Sequence, residues 1–184
     1  MESKKELRKR VKSLVKAMAS DTRAVEASAV AEQLLHHPKV QSAATIALFA
    51  SLPDEIDTTQ LIEALATKTS VVLPRLLGDE MDFYPYSANA MHSGAMGILE
   101  PDGDVPIAPQ DIDVMILPGL AFTADGLRLG RGKGYYDKYM SRERYRAYTI
   151  GICHTVQLLD TLPVESHDKR LDEVITSAYL EKNN

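Results

Sequence analysis

Between Arg128 and Asp137 the chain reads R-L-G-R-G-K-G-Y-Y-D. Gly130, Gly132 and Gly134 alternate with Arg131 and Lys133, and Arg128 stands just upstream. Glycines so spaced let the backbone take φ > 0 and turn successive N–H groups toward one point, which makes a nest for an anion. Three cations in six residues favour the same occupant. A helix can begin at Tyr135 and would aim its positive end there. Asp137 beside the cradle is a natural magnesium ligand, because magnesium on a nucleotide takes one or two carboxylates plus phosphate oxygens. The chemistry indicated is phosphate binding. The bland alternative, a flexible glycine-rich surface loop, does not account for the cations or for the trailing Tyr-Tyr-Asp. The named nucleotide motifs do not fit: Lys133 is followed by Gly134 rather than Ser or Thr, and G-R-G-K-G is not G-x-G-x-x-G.

The elements that must position this loop can be read from periodicity. Val114 to Leu117 is an apolar run ended by Pro118-Gly119, as in a buried strand. Residues 3 to 18 predict an amphipathic helix with Leu7, Val11, Leu14, Val15 and Met18 as its buried stripe. Lys4 and Arg8 share one face of it. That face is either a solvated basic surface or a two-pronged phosphate clamp, and the second requires the helix to dock on the glycine loop. Ser20 or Asp21 caps a second helix that runs to about His37 and stops at Pro38, with Val25, Ala29, Val30, Leu34 and Leu35 apolar. His36 and His37 have no companion ligands at a metal-binding spacing.

Thr45 to Ala50 predicts a strand covered on both faces. Asp57 or Thr58 caps a helix to about Lys68, and Val71 to Pro74 is the next strand, giving a β-α-β unit. Glu55 lies just past the first strand's carboxyl end, where ligands bind in such sheets; otherwise it is an exposed loop acid. Met81 to Tyr86 predicts an edge strand because of Pro85. Residues 91–101 predict a loop. Tyr84, Tyr86 and Met96 are candidates for a planar-ligand pocket, although core packing is the commoner use of such side chains. Tyr135 to about Arg144 predicts a helix, Tyr148 to Cys153 a buried strand, and Glu173 to Ser177 a last strand. Gln157 to Leu162 predicts a short turn or helix. His154, at a strand's carboxyl end, is a general-base candidate with no visible partner.

Composition limits the classes. The 184 residues are 45% hydrophobic and 26% charged, which fits one domain, 1–184, with a full core. No apolar run approaches the ~20 residues of a membrane span, and the charged N-terminus has no secretory h-region. The single cysteine, Cys153, excludes an internal disulfide and a multi-cysteine zinc site and fits a reducing cytoplasm. A net charge of −5 speaks against wholesale nucleic-acid binding. The balance is uneven: residues 1–18 carry seven Lys and Arg against two Glu, a basic element on an acidic body.

Taken together, Lys4, Arg8, S-L-P-D-E-I-D-T at 51–58, P-G-L-A-F at 118–122, R-L-G-R-G-K-G-Y-Y-D at 128–137 and the closing L-P-V-E-S-H-D-K-R-L-D-E-V-I-T-S resemble the 5-formyltetrahydrofolate cyclo-ligases, also called methenyltetrahydrofolate synthetases. The resemblance implies ATP- and Mg²⁺-dependent closure of 5-formyltetrahydrofolate to 5,10-methenyltetrahydrofolate, through a phosphorylated imidate, with release of ADP and phosphate. It implies nucleotide contacts at Lys4, Lys5, Glu6, Leu7 and Arg8, and at Arg128, Leu129, Gly130, Arg131, Gly132, Lys133, Gly134, Tyr135 and Tyr136. Arg131 to Tyr135 would also face the folate, with Arg131, Lys133 and Tyr135 in catalytic roles. Glu55 and Ala50 would contact the folate, and Asp137 and Asp168 would hold magnesium. The fold expected is a single three-layer α/β/α domain with a mainly parallel, Rossmann-like sheet. A cytoplasmic monomer or weak homodimer without membrane or nucleic-acid partners is expected. An ATP-dependent kinase or ligase acting on another small substrate and a non-catalytic nucleotide- or folate-binding module are the alternatives.

Overall fold

The structure is a computed structural model and describes residues 2–94, 97–163, 165 and 169–177. Its centre is a six-stranded sheet in the order β10-β9-β6-β1-β2-β3. The strands are β1 (Thr45–Ala47), β2 (Ser70–Leu77), β3 (Glu80–Pro85), β6 (Val114–Leu117), β9 (Tyr148–Ile152) and β10 (Glu173–Ile175). All pair in parallel except β3, the antiparallel edge strand expected from Pro85. One face buries Ile46, Val71, Leu73, Ile116 and Ile150 under α2 (Ser20–His36), α3 (Pro38–Ser42) and α4 (Thr59–Ala66). The other buries Val72, Met115, Leu117 and Val174 beneath α5 (Tyr135–Met140) and the chain around it. The mainly parallel α/β architecture is therefore as expected.

β1 is shorter than the predicted 45–50, and Pro74 supplies the reason. Leu48 N–H still donates to Val72 C=O at 3.0 Å. The next ladder bond would need an N–H from residue 74, and proline has none. The chain after β1 therefore leaves the sheet while β2 runs on. β1 connects to β2 on one side and lies against β6 on the other, so strand order reverses between β1 and β6. That is the switch point at whose carboxyl end α/β proteins form a ligand crevice.

The helix α1 (Lys4–Ala17) begins with a capping box: Glu6 N–H donates to Ser3 Oγ at 3.3 Å, and Ser3 N–H donates to Glu6 Oε2 at 3.0 Å. It buries Leu7, Val11 and Val15, but Leu14 is 39% exposed. The stripe is narrower than predicted because α1 rests on a two-stranded hairpin, β7 (Ala121–Phe122) with β8 (Arg128–Leu129), and not on the broad sheet. That hairpin is absent from the sequence reading. So is a second one, β4 (Met91–Ser93) with β5 (Leu99–Pro101), where a loop was expected. It is tied down by Arg75 Nη1, which donates to Pro101 C=O at 3.1 Å and Gly103 C=O at 2.8 Å.

Two helix ends differ from expectation. The N-cap of α2 is Ala19, so Ser20 lies inside the helix. The start of α4 lies where expected: Thr58 is its N-cap, with its hydroxyl donating to Phe49 C=O at 2.6 Å, and Asp57 Oδ1 takes the Thr59 N–H at 2.9 Å. The helix α5 has six residues rather than ten and is followed by Arg144 at φ 64°, a left-handed residue that no α-helix accommodates.

Candidate active site

The glycine loop leaves β8 and enters α5 at the carboxyl ends of the parallel strands. Gly132 has φ 100° and Gly134 φ 70°, conformations that cost little only without a Cβ. Gly130 does not adopt positive φ, so two of the three glycines turn the backbone as predicted. Because α5 is short, its contribution to an anion is a few free N–H groups and no long-helix dipole.

The loop is reached from α1. Arg8 Nε donates to Gly130 C=O at 2.9 Å. A Cβ at Gly132 would lie 3.5 Å from the Arg8 guanidinium carbon, so the cation covers the loop's left-handed turn. Docking, the condition for a basic clamp rather than a solvated face, is met. Lys4 Nζ pairs with Glu165 Oε2 at 3.0 Å. Lys5 and Glu6 are exposed, Glu6 serving the capping box, and Leu7 and Leu129 belong to the apolar contact between α1 and the hairpin.

The loop's two arginines are already engaged. The Arg128 side chain is 6% exposed; its Nη2 donates to Asp137 Oδ1 at 3.1 Å and Oδ2 at 3.2 Å, and its Nη1 to Pro118 C=O at 3.2 Å. Arg131 crosses the switch point to the segment after β1. Its Nε and Nη2 donate to Glu55 Oε1 at 3.0 and 2.9 Å, and its Nη1 to Asp54 Oδ2 at 3.2 Å. Asp54 Oδ1 also accepts from Nη2. Lys133 is exposed. The Tyr135 hydroxyl donates to Gly78 C=O at 3.3 Å, at the turn after β2. Ala50 is half-buried on the way from β1 to Glu55.

Burial tunes these groups. Glu55, whose side chain is 6% exposed, has its carboxyl pushed above the ordinary range. Desolvation raises it, and outweighs the Leu52 N–H, 2.8 Å from Oε2, and Arg131. Arg131 moves up: burial would lower it, but Asp54 and Glu55 prevail. Tyr136 is pushed upward by burial and then by the charge of Glu55, so it stays a neutral phenol facing the acid's field.

Other candidates stand elsewhere. Tyr84 is buried beneath Arg75, whose guanidinium carbon is 3.7 Å from the ring centroid, and Tyr86 packs against the core under α2 and α4, so neither lines an open pocket. Met96 and Asp168 lie outside the described residues. His154 is 1% exposed and its Nδ1 lies 2.7 Å from Glu26 Oε2 on α2, a buried structural pair and not a base in the crevice. A 420 Å³ depression lined by Lys39, Asp113, Arg146 and Asp172 lies at the opposite, amino ends of the strands. Its acids are committed to the backbone N–H groups of Ala44, Thr45 and Thr149. The crevice, not that depression, gathers the chemistry.

Known proteins resemble this chain along nearly all of its length. The model of the 5-formyltetrahydrofolate cyclo-ligase family matches residues 1–177. The protein belongs to that family. The cyclo-ligase of Escherichia coli K12 is 36% identical over 79% of this chain and 85% of its own, and that of Mus musculus 29% identical over 94% and 93%. The solution structure of Aquifex aeolicus 5,10-methenyltetrahydrofolate synthetase superposes with a TM-score of 0.86 at 30% identity, over 95% of this chain and 89% of the other. As a member of the cyclo-ligase family the protein is an enzyme with a folate-related ligase function.

Two cyclo-ligase residues near the crevice escaped the sequence reading. Asp54 is one, although the acid pair in L-P-D-E announced it. Gln157 is the other: buried, it donates from Nε2 to the carbonyls of Gly119 and Leu120 at 3.2 and 3.0 Å and accepts from His154 N–H at 2.9 Å. It fixes the turn from which the β7–β8 hairpin departs, and nothing local in the sequence signals that.

Proposed function

We propose that the protein closes 5-formyltetrahydrofolate to 5,10-methenyltetrahydrofolate at the expense of ATP, releasing ADP and phosphate. The observation that carries this reading is the meeting of Arg131, from the glycine loop, with Glu55, from the loop after β1, across the switch point. It brings an anion-binding loop and an acid suited to heterocyclic N–H donors into one crevice.

The reaction needs little covalent help from side chains. A formamide oxygen is a poor leaving group. Transfer of the γ-phosphoryl group to it gives an imidate phosphate; N10 then attacks the formyl carbon and gives up its proton to water, and the C–O bond breaks, so the oxygen departs in phosphate. Positioning and neutralisation of charge dominate such transfers. In this reading Arg8 and the backbone of Gly132 to Gly134 hold phosphate oxygens, Arg131 neutralises the group in transfer, and Glu55 orients the folate. Lys133 and Tyr135 flank the same loop, Lys133 with its ammonium in solvent.

The residues also fit magnesium carried on the nucleotide. Asp137 presents a half-exposed carboxylate beside the loop, and among the described residues no cluster of three acids, histidines or cysteines builds a protein-only cage. When bound, the ion would neutralise the phosphates. Asp137, released from one of its Arg128 hydrogen bonds, and Asp168 are its proposed carboxylates.

The decisive experiment follows methenyltetrahydrofolate absorbance in the near ultraviolet with 5-formyltetrahydrofolate and Mg²⁺, with and without ATP. A rise that requires ATP is expected. ADP release without any rise would assign the loop to another phosphoryl acceptor.

A further inference from the structure

The guanidinium of Arg131 has two usable edges. The Nε–Nη2 edge is directed to Glu55 Oε1, at 3.0 and 2.9 Å. The Nη1–Nη2 edge forks onto Asp54, with Nη1 3.2 Å from Oδ2 and Nη2 on Oδ1. A carboxylate and a phosphoryl group offer such a fork the same pair of oxygens, so only one of them can take it. The two acids differ in how readily they yield. The Glu55 side chain is 6% exposed and is held on its other oxygen by Leu52 N–H, whereas Asp54 is 25% exposed and no hydrogen bond other than those of Arg131 reaches its carboxylate among the described residues.

We infer that Asp54 competes with the transferred phosphoryl group for the Nη1–Nη2 edge of Arg131, while Glu55 keeps the Nε edge and fixes the arginine in place. The inference rests on the ATP-dependent reading above and goes beyond it by giving Asp54 a task. Arg131 then pivots little between two anions. Phosphate binding displaces a partly solvated acid, and the same acid retakes the edge when phosphate leaves. Asp54 therefore weakens nucleotide binding and speeds product release; it touches the arginine and not the substrate, and is a positioning residue.

The test is calorimetric binding of the β,γ-imido analogue of ATP with Mg²⁺ to the full chain. Wild type, Asp54→Asn, Arg131→Lys and the double variant are compared, each first checked by thermal melting. Asp54→Asn tightens binding by about fivefold, the scale of one partly solvated ion pair. In the Arg131→Lys background, which keeps the charge but has no fork, the gain falls below about twofold. Steady-state kinetics of Asp54→Asn show KM for ATP and kcat falling together, as slow release requires. An equal gain in both backgrounds would reduce Asp54 to a general negative charge and overturn the inference, as would unchanged or weaker binding. If wild type neither binds the analogue nor turns over, the ATP-dependent reading fails with it; normal wild-type turnover beside an inert Asp54→Asn variant sinks the inference alone.

Discussion

Arg8 and Gly130 stand 122 residues apart in the chain and are joined by a 2.9 Å hydrogen bond from the arginine Nε to the glycine carbonyl. The bond makes the first helix part of the glycine loop. Arg8→Ala is expected to raise KM for ATP about tenfold, the scale of one charge-assisted hydrogen bond, with a smaller change in KM for the folate. Arg8→Lys keeps a cation but loses the Nε donor and recovers only part of the loss. Unchanged KM values in both variants would leave α1 as scaffold.

Asp137 has two tasks to lose. Asp137→Asn is expected to abolish turnover through the magnesium site. It also deprives the nearly buried Arg128 of its charged partner, at a cost of about 1–2 kcal/mol in stability, with the fold retained. Denaturant melts and a magnesium titration of turnover check both. Wild-type rates across the titration would refute the metal assignment.

Glu55 gives a pH prediction with a definite sign. Its folded value is raised by burial, so the stability it contributes is full below the unfolded range near 4.5 and is lost as pH rises through the folded value. At neutral pH its buried charge is a cost. Glu55→Gln should therefore melt at the same temperature as wild type or higher at pH 7, while turnover falls at least about tenfold for want of an anionic acceptor. The acid limb of kcat/KM should lie above the range of an unburied glutamate and disappear from the residual activity of the variant. A limb that persists unchanged assigns it to another group.

The His154–Glu26 pair should matter for folding and not for chemistry. Both side chains are buried, Glu26 also accepts from Thr155 N–H at 3.2 Å, and His154 Nε2 has no hydrogen-bond partner among the described residues. Glu26→Ala is expected to cost about 3 kcal/mol with KM for both substrates within about twofold of wild type, a spread of some 0.4 kcal/mol. A large kinetic effect in a stably folded variant would return His154 to the list of catalytic candidates.

Much of the architecture was visible as pattern. The apolar runs at Val114–Leu117 and Tyr148–Cys153 read as buried strands and are strands, the second ending at Ile152, and Pro85 marked an edge. What stayed hidden was mostly tertiary. Three-residue strands such as Met91–Ser93 are too short to show a period, and their anchor, Arg75, comes from β2. The two-residue strands of the β7–β8 hairpin form because α1 covers them. The partners of His154 and Arg131 lie 128 and 76 residues away, beyond any spacing rule. The glycine loop was legible because its backbone conformations demand a residue type, whereas Gln157 was not, because a buried amide can serve any pair of carbonyls.

Pro74 contributes no side-chain polar group to the crevice, yet the crevice begins where its missing hydrogen would have extended the β1 ladder. The acidic loop thus departs from the sheet, toward the glycine loop, where one donor is absent in a neighbouring strand. A substitution there that restored the N–H would give β1 one more rung and draw Phe49 and Ala50 back toward the sheet. The aperture of the site would narrow with every reacting residue still in its place in the sequence. The course of the acidic loop and the side chains it carries are thus set by different parts of the chain.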